Sequence, residues 1–179
     1  MNLDTSTETE LLHFAHQLDS RALAQIYDKY SPELYRYAMR LLGNPSTAED
    51  CVAETFSRFL HALAAQKGPH EYLRAYLYRI AHNWITDQYR RERPSEELDE
   101  SLPDQGDAPE QTADIHAQNA ALQQAIRKLT PDQRQVIALK FWHDWENEEI
   151  AHALHKPVGA VKSLQHRALN ALERYLQDQ

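Results

Sequence analysis

The sequence predicts an all-α fold of two small helical domains joined by an acidic flexible linker, and three observations carry that expectation. Only four glycines occur in 179 residues, while Ala, Leu, Glu, Gln and Arg, the good helix formers, are abundant. Breakers and capping residues recur at helix-length intervals, with apolar residues at helical period between them. Residues 94–114 hold Pro, Gly, Ser, Asp and Glu and almost nothing apolar to bury, so that stretch has no core of its own. The division that follows is an N-terminal extension at 1–19, a first domain at 20–93, the linker at 94–114 and a second domain at 115–179.

In the first domain, Pro32 is placed at a first helical position, and Gly43 after Leu41 and Leu42 marks a C-terminal stop. Ser46 with Glu49 forms a capping-box pattern for a helix running toward Ala64. Gly68-Pro69 breaks the chain, and a long helix follows from about Glu71 to just before Pro94. In the second domain, Thr130 with Gln133 forms another capping box around Pro131. Its helices are expected at about 116–128, 131–142, 147–154 and 158–176.

The formal net charge of -8 argues against a nucleic-acid binder until the charge is located. Between Pro94 and Ala120 stand Glu96, Glu97, Asp99, Glu100, Asp104, Asp107, Glu110 and Asp114 without one Lys or Arg, so this stretch accounts for the whole excess. Elsewhere bases gather locally, as Arg74, Arg79, Arg90, Arg91 and Arg93 do against Asp87 and Glu92. The polar, acidic start of the chain is unlike a signal peptide and no apolar run is long enough to span a bilayer, so the expected compartment is the cytoplasm. Cys51, the single cysteine, allows no internal disulfide.

Enzyme chemistry finds little support. There is no phosphate-cradling glycine loop and no nucleophile elbow. His152 and His155, with His143 nearby, are the nearest approach to a metal site, but no Cys or carboxylate pattern completes a shell. No metal, cofactor or catalytic residue is therefore expected.

Residues 148–162 have the spacing of a helix-turn-helix: Ile150, Ala151 and Leu154 face inward, a short break follows, and Val161 opens the next apolar stripe. On the second helix Val161, Leu164, Ala168, Leu172 and Tyr175 share one side. The other side shows Gly159, Lys162, Ser163, His166, Arg167, Asn170 and Arg174, types that hydrogen-bond base edges and phosphates in a major groove. Such a motif also suits a regulator that binds duplex DNA without being a polymerase subunit, which is the alternative reading. In the first domain, the helix from Glu71 carries a core stripe of Leu73, Leu77, Ile80, Trp84 and Gln88. Opposite it lie Arg79, His82, Asn83, Thr86, Arg90 and Arg93. Tyr72, Tyr76, Tyr78, Trp84 and Tyr89 interleave with these, as aromatics do where single-stranded nucleic acid stacks.

The run from Tyr72 to Asn83, Tyr-Leu-Arg-Ala-Tyr-Leu-Tyr-Arg-Ile-Ala-His-Asn, followed by Asp87 and Arg90-Arg91, resembles the promoter-melting helix of extracytoplasmic-function (ECF) sigma factors of the sigma-70 family. Residues 48–56 resemble their polymerase-binding helix, and residues 26–30 with 34–38 their opening segment. Residues 129–134, 161–163 and 166–168 resemble their C-terminal domain. The resemblance implies an alternative sigma factor that directs core RNA polymerase to promoters and is no enzyme itself. Its implied partners are core polymerase, through the β′ clamp and β flap, promoter DNA, and an anti-sigma factor. Glu49, Asp50, Glu54 and Phe56 would meet the clamp. Lys67, Arg74, Arg79, His82, Asn83 and Arg90 would hold the unwound -10 strand. Lys162, Ser163, His166 and Arg167 would enter the -35 major groove. The acidic linker would thread the basic RNA-exit channel as a removable RNA mimic.

Overall fold

The computed structural model describes the backbone of residues 3–91 and 110–177 and the side chains of 8–91 and 118–177. The linker reading, the charge pattern at 94–109 and the placement of Arg93 lie outside the described residues, whereas residues 110–114, expected in the linker, already belong to the helix expected from 116. Two helical groups result. The first comprises α1 (Leu3–His16), α2 (Ser20–Leu42), α3 (Pro45–Ala64) and α4 (Leu73–Arg91). The second comprises α5 (Glu110–Lys128), α6 (Pro131–Ile137) continued by a π turn (Ala138–Trp142), α7 (Asn147–Leu154) and α8 (Val158–Gln177).

Two expected helix starts are corrected. The helix containing Pro32 begins twelve residues earlier, at Ser20, where the Asp19 carboxylate accepts from the N–H groups of Arg21 at 3.0 Å and Ala22 at 2.9 Å. An interior proline costs a helix about 3 kcal/mol. It is tolerated because one stripe, Ile26, Tyr30, Leu34, Tyr37 and Leu41, is buried on both sides of it while Pro32 itself faces outward. Ser46 and Glu49 do not cap α3. Asn44 does, accepting from the Thr47 N–H at 3.0 Å, with Pro45 at the first position. Gly43 closes α2 as expected, in the left-handed region at φ 70°.

Helix α1 packs on α2 and α3 and braces the loop that leads into α4. One Glu8 oxygen accepts the Leu73 N–H at 2.9 Å, capping α4, and the other accepts the Tyr30 hydroxyl at 2.8 Å. His16 bonds the Pro69 carbonyl at 2.9 Å and stacks on His70 at 4.4 Å. Between them Gly68 is packed so closely that a Cβ there would meet Leu63 at 2.7 Å and His16 at 3.3 Å.

In the second group the Thr130 and Gln133 capping box forms as expected. Arg134, 4 % exposed, turns its guanidinium back to the end of α5, donating to the carbonyls of Ile126, Arg127 and Leu129 at 3.3, 3.3 and 3.0 Å. It thereby satisfies carbonyls that the last turn of a helix leaves open. The helix expected at 131–142 is α-helical only to Ile137, and its π turn leaves Phe141 half exposed.

The two groups pack against each other along α4. Trp145, 1 % exposed, meets Tyr78 edge to face at 4.9 Å, and the Arg74 guanidinium lies over its indole at 4.6 Å. His143 sits 5.4 Å from Tyr78 and 5.6 Å from Tyr37, with Tyr78 also donating to Glu33 at 3.4 Å. Arg134 covers Tyr89 at 4.0 Å, and Gln123 donates to the Arg40 carbonyl at 2.7 Å. Tyr37 and His82 share a buried hydrogen bond of 2.8 Å.

Burial, then Arg74, Arg40 and Arg36, hold His143 down at about 4 against a weaker opposing pull from Asp144. Burial and then Arg134 hold His82 at about 3, opposed by the Pro131 backbone and Asp132. Both rings are neutral in the closed chain at neutral pH.

Replacing Asp19 by Ala should cost about 1 kcal/mol of stability, read as a lower urea midpoint at unchanged slope. Domain closure should depend on pH through His143. Separation of the domains frees this ring to take up a proton near its ordinary value of 6.5, so the closed arrangement is fully favoured above that pH and weakens as pH falls toward 4. Energy transfer between dyes on the two domains should fall from pH 7 to pH 5, and His143→Gln should reduce the response, leaving the share that His82 contributes through its own burial on the seam. A wild-type signal constant over that range would contradict the coupling.

Candidate nucleic-acid interface

The helix-turn-helix forms where the sequence places it. Helix α7 ends at His155, which adopts the left-handed conformation at φ 52°, and the Lys156 N–H closes the turn on the Ala151 carbonyl at 3.0 Å. Ile150 and Ala153 are buried on α7, as are Val161, Leu164, Ala168 and Leu172 on α8, while Ala151, Leu154 and Tyr175 are partly buried. Gln165 ties the two helices by donating to Asn147 at 2.7 Å. Lys162, Ser163, His166 and Arg167 all lie on the exposed face of α8. Two of them lean on their own helix: Ser163 donates to the Gly159 carbonyl at 3.1 Å and Arg167 to the Ser163 carbonyl at 3.3 Å. No Asp or Glu stands on α8 before Glu173, so the face is cationic at its N-terminal half.

On α3, Glu49 and Asp50 are exposed, and Glu54 pairs with Arg58 at 2.7 Å. Phe56 is not at the surface. It is 8 % exposed beneath Tyr27, 4.8 Å away ring to ring, and Tyr27 is the outward aromatic at 48 %. Tyr27, Tyr35, Val52 and Ala53 line an apolar groove of about 370 Å³ with Glu49 at its edge. Nothing in the sequence sets Tyr27 outward, since it stands beside core residue Ile26.

The long helix α4 departs most from the expectation. Buried positions are Leu73, Ala75, Leu77, Tyr78, Ala81, His82, Ile85, Thr86 and Tyr89, whereas Ile80, Trp84 and Gln88 are only partly buried. Leu77, Ala81 and Ile85 pack into the first group, and Tyr78, His82, Thr86 and Tyr89 form a second buried stripe toward the other group. His82 and Thr86, expected on a nucleic-acid face, are thus interior in this arrangement, and His82 is engaged with Tyr37. Arg90 is exposed and pairs with Asp87 at 3.5 Å, Asn83 is exposed, and Lys67 is exposed in the loop. Arg74 is bound to Glu33 at 3.1 Å and approaches Glu149 of α7 at 3.9 Å. Arg79 lies over Tyr76 at 5.3 Å and donates to His155 Nε2.

Two cavities mark the junction of α4 with the helix-turn-helix. One of about 390 Å³ is lined by Arg79, Asn83 and Arg90 on one side and Asp132, Gln135 and Leu154 on the other. A second, of about 270 Å³, joins Lys67, Tyr72, Tyr76 and Arg79 to His152 and His155. The structure therefore brings Lys67, Arg79 and Asn83 into one region, separate from the α8 face and from the acidic face of α3, while Arg74 lines a neighbouring cavity with Glu33, Arg36, Arg40 and His143. Among the described residues no cluster of His, Cys, Asp or Glu could hold a metal ion, and no helix is long and apolar enough to cross a membrane. Burial raises the Cys51 thiol to about 12.

Comparison with known proteins gives these faces a family. Residues 26–94 match sigma-70 region 2 and residues 119–172 match sigma-70 region 4. The ECF RNA polymerase sigma factor BldN of Streptomyces coelicolor is 33 % identical over 181 residues, covering 98 % of this chain and 68 % of its own. SigL of Mycobacterium tuberculosis is 32 % identical, covering 89 % of this chain and 92 % of its own. SigW of Bacillus subtilis is also 32 % identical, with 89 % and 91 % covered. The fold is that of CnrH, solved in complex with the cytosolic domain of CnrY, at a TM-score of 0.69, 24 % identity and coverage of 95 % and 97 %. Both helical groups, in this order and with their helix-turn-helix last, are accounted for by one lineage, and the chain belongs to the ECF RNA polymerase sigma factors of the sigma-70 family.

Proposed function

We propose that this alternative sigma factor initiates transcription through three separate faces, without chemistry of its own. Acidic Glu49, Asp50 and Glu54, beside the apolar groove under Tyr27, dock on the basic clamp of core RNA polymerase. The charges steer the encounter and Tyr27, backed by the buried Phe56, anchors it. Lys67, Arg74, Arg79 and Asn83, with Tyr72 and Tyr76 beside them, hold the unwound -10 strand. Lys162, Ser163, His166 and Arg167 read the -35 duplex. Promoter DNA, the polymerase flap and an anti-sigma factor complete the set of partners. In the closed arrangement His82 positions α4 through Tyr37.

The observation that carries this reading is the segregation of charge: an acidic face on α3 and cationic faces on α4 and α8, on helices whose cores point elsewhere. A duplex-binding regulator needs only the last of these. In the closed arrangement α4 faces the helix-turn-helix, so capture of the -10 strand requires the two groups to part.

Glu49→Lys combined with Asp50→Lys should lower affinity for core polymerase about tenfold or more while the thermal melt stays near wild type. A folded double variant that binds core normally would remove α3 from the interface. Arg167→Ala should reduce transcription from a -35-dependent promoter. A phosphate contact would weaken all sequences alike and reduce the salt dependence, whereas a base contact would relax one position. No change in either would take Arg167 out of the recognition face.

A further inference from the structure

Helix α7 does more at the domain junction than close a turn. Its His152 ring lies on Tyr72 with centroids 3.7 Å apart and planes within 19°, a stacked pair at the surface. One turn earlier, Glu149 brings a carboxylate within 3.9 Å of Arg74, and at the end of the helix His155 accepts from Arg79. Lys67, Tyr76 and Arg79 line the same cavity as the two histidines. Every α4 or loop group touched here is one that the preceding section assigns to the unwound strand, and each is met by a group of matching chemistry. A flat nitrogen heteroaromatic ring stacks on the tyrosine as a base would, and an anion faces the arginine as a phosphate would.

These contacts are peripheral to what holds the domains together. The seam's buried area centres on Trp145 and Tyr78, whereas His152 and His155 are exposed and Glu149's side chain is 48 % exposed. A base-like ring, an anion and a second imidazole spaced along one short helix are not needed to bury Trp145. Tyr72 is held ready for stacking, half exposed at 52 % and fixed at φ 55° just before α4, where the Glu8 cap pins the next residue.

We propose that α7 is an internal occupant of the strand-reading face, with His152 in the place of a stacked base and Glu149 in the place of a phosphate. The chain's own helix and single-stranded promoter DNA then compete for Tyr72, Arg74 and Arg79. The inference rests on the assignment of that face to the -10 strand. It adds that two side chains of α7 oppose strand binding in the closed chain.

The test uses the full chain and a fluorescein-labelled single-stranded oligonucleotide pool of random sequence, followed by anisotropy at low salt. His152→Ala with Glu149→Gln is the releasing variant. Gln retains the capping interaction that Glu149 makes with the Glu146 N–H at 2.9 Å, so α7 keeps its start. This variant should bind the pool at least about fivefold more tightly than wild type, and adding Tyr72→Ala should abolish the gain. If the releasing variant binds no more tightly, while Tyr72→Ala still weakens binding, the mimicry is wrong and the strand-reading face stands. If Tyr72→Ala has no effect in either background, the assignment of that face fails, and the inference with it. A matching melt for all variants excludes loss of fold as the cause.

Discussion

The structure depends on the double burial of α4. An ordinary surface helix buries one stripe and leaves the rest to water. This one buries Leu73, Leu77, Ala81 and Ile85 against α2 and α3, and then Tyr78, His82, Thr86 and Tyr89 against the second domain. Little of its circumference remains, and that remainder carries Asn83, Asp87, Arg90 and the flanks of Arg74 and Arg79. Three polar members of the second stripe have partners, Tyr37 for His82 Nδ1, Glu33 for Tyr78 and the Leu41 carbonyl for Tyr89, whereas Thr86 Oγ1 and His82 Nε2 are buried without one among the described residues. A helix built this way is apolar enough to be covered and polar enough to be uncovered, which a helix-turn-helix domain tethered beside it exploits.

Burial of titratable groups on that seam follows the same logic. Tyr37 and Tyr78 are both pushed upward, mainly by desolvation, and His82 and His143 downward, so the junction is electrically quiet at neutral pH. Of the arginines around it, Arg134 spends its charge on a ring and on carbonyls, and Arg74 divides its own between the Trp145 indole and the partly buried Glu33 carboxylate. Cation–π contacts of this sort tolerate separation better than an ion pair buried without water, because each partner is acceptable to solvent when alone.

The helix-turn-helix was legible because its signals are local. Apolar spacing, a short turn and the Thr130 capping box all lie within a few residues of the structure they specify. The start of α2 was not, since Pro32 outranked Asp19 as a local signal and only the buried stripe spanning both sides reveals the continuous helix. Asn44 and Ser46 are equally good caps by type, and which one serves is decided by the chain's path out of Gly43. His82 and Thr86 stand opposite the first-domain core and are covered by the second domain, because periodicity within one helix cannot announce a surface contributed by another domain. Phe56 failed for a related reason, its cover being Tyr27 from a neighbouring helix. The π turn left no trace that a 3.6-residue period would detect.

Gly68 sets a limit on how this lineage can diverge. With Leu63 at 2.7 Å and His16 at 3.3 Å from any added Cβ, the loop before α4 has one position where every side chain is excluded and a backbone pressed onto α1 and α3. Variation in that loop is thereby confined to its outward residues, Lys67 and His70 among them. Paralogues that retain this brace can change what the loop touches while keeping where it stands.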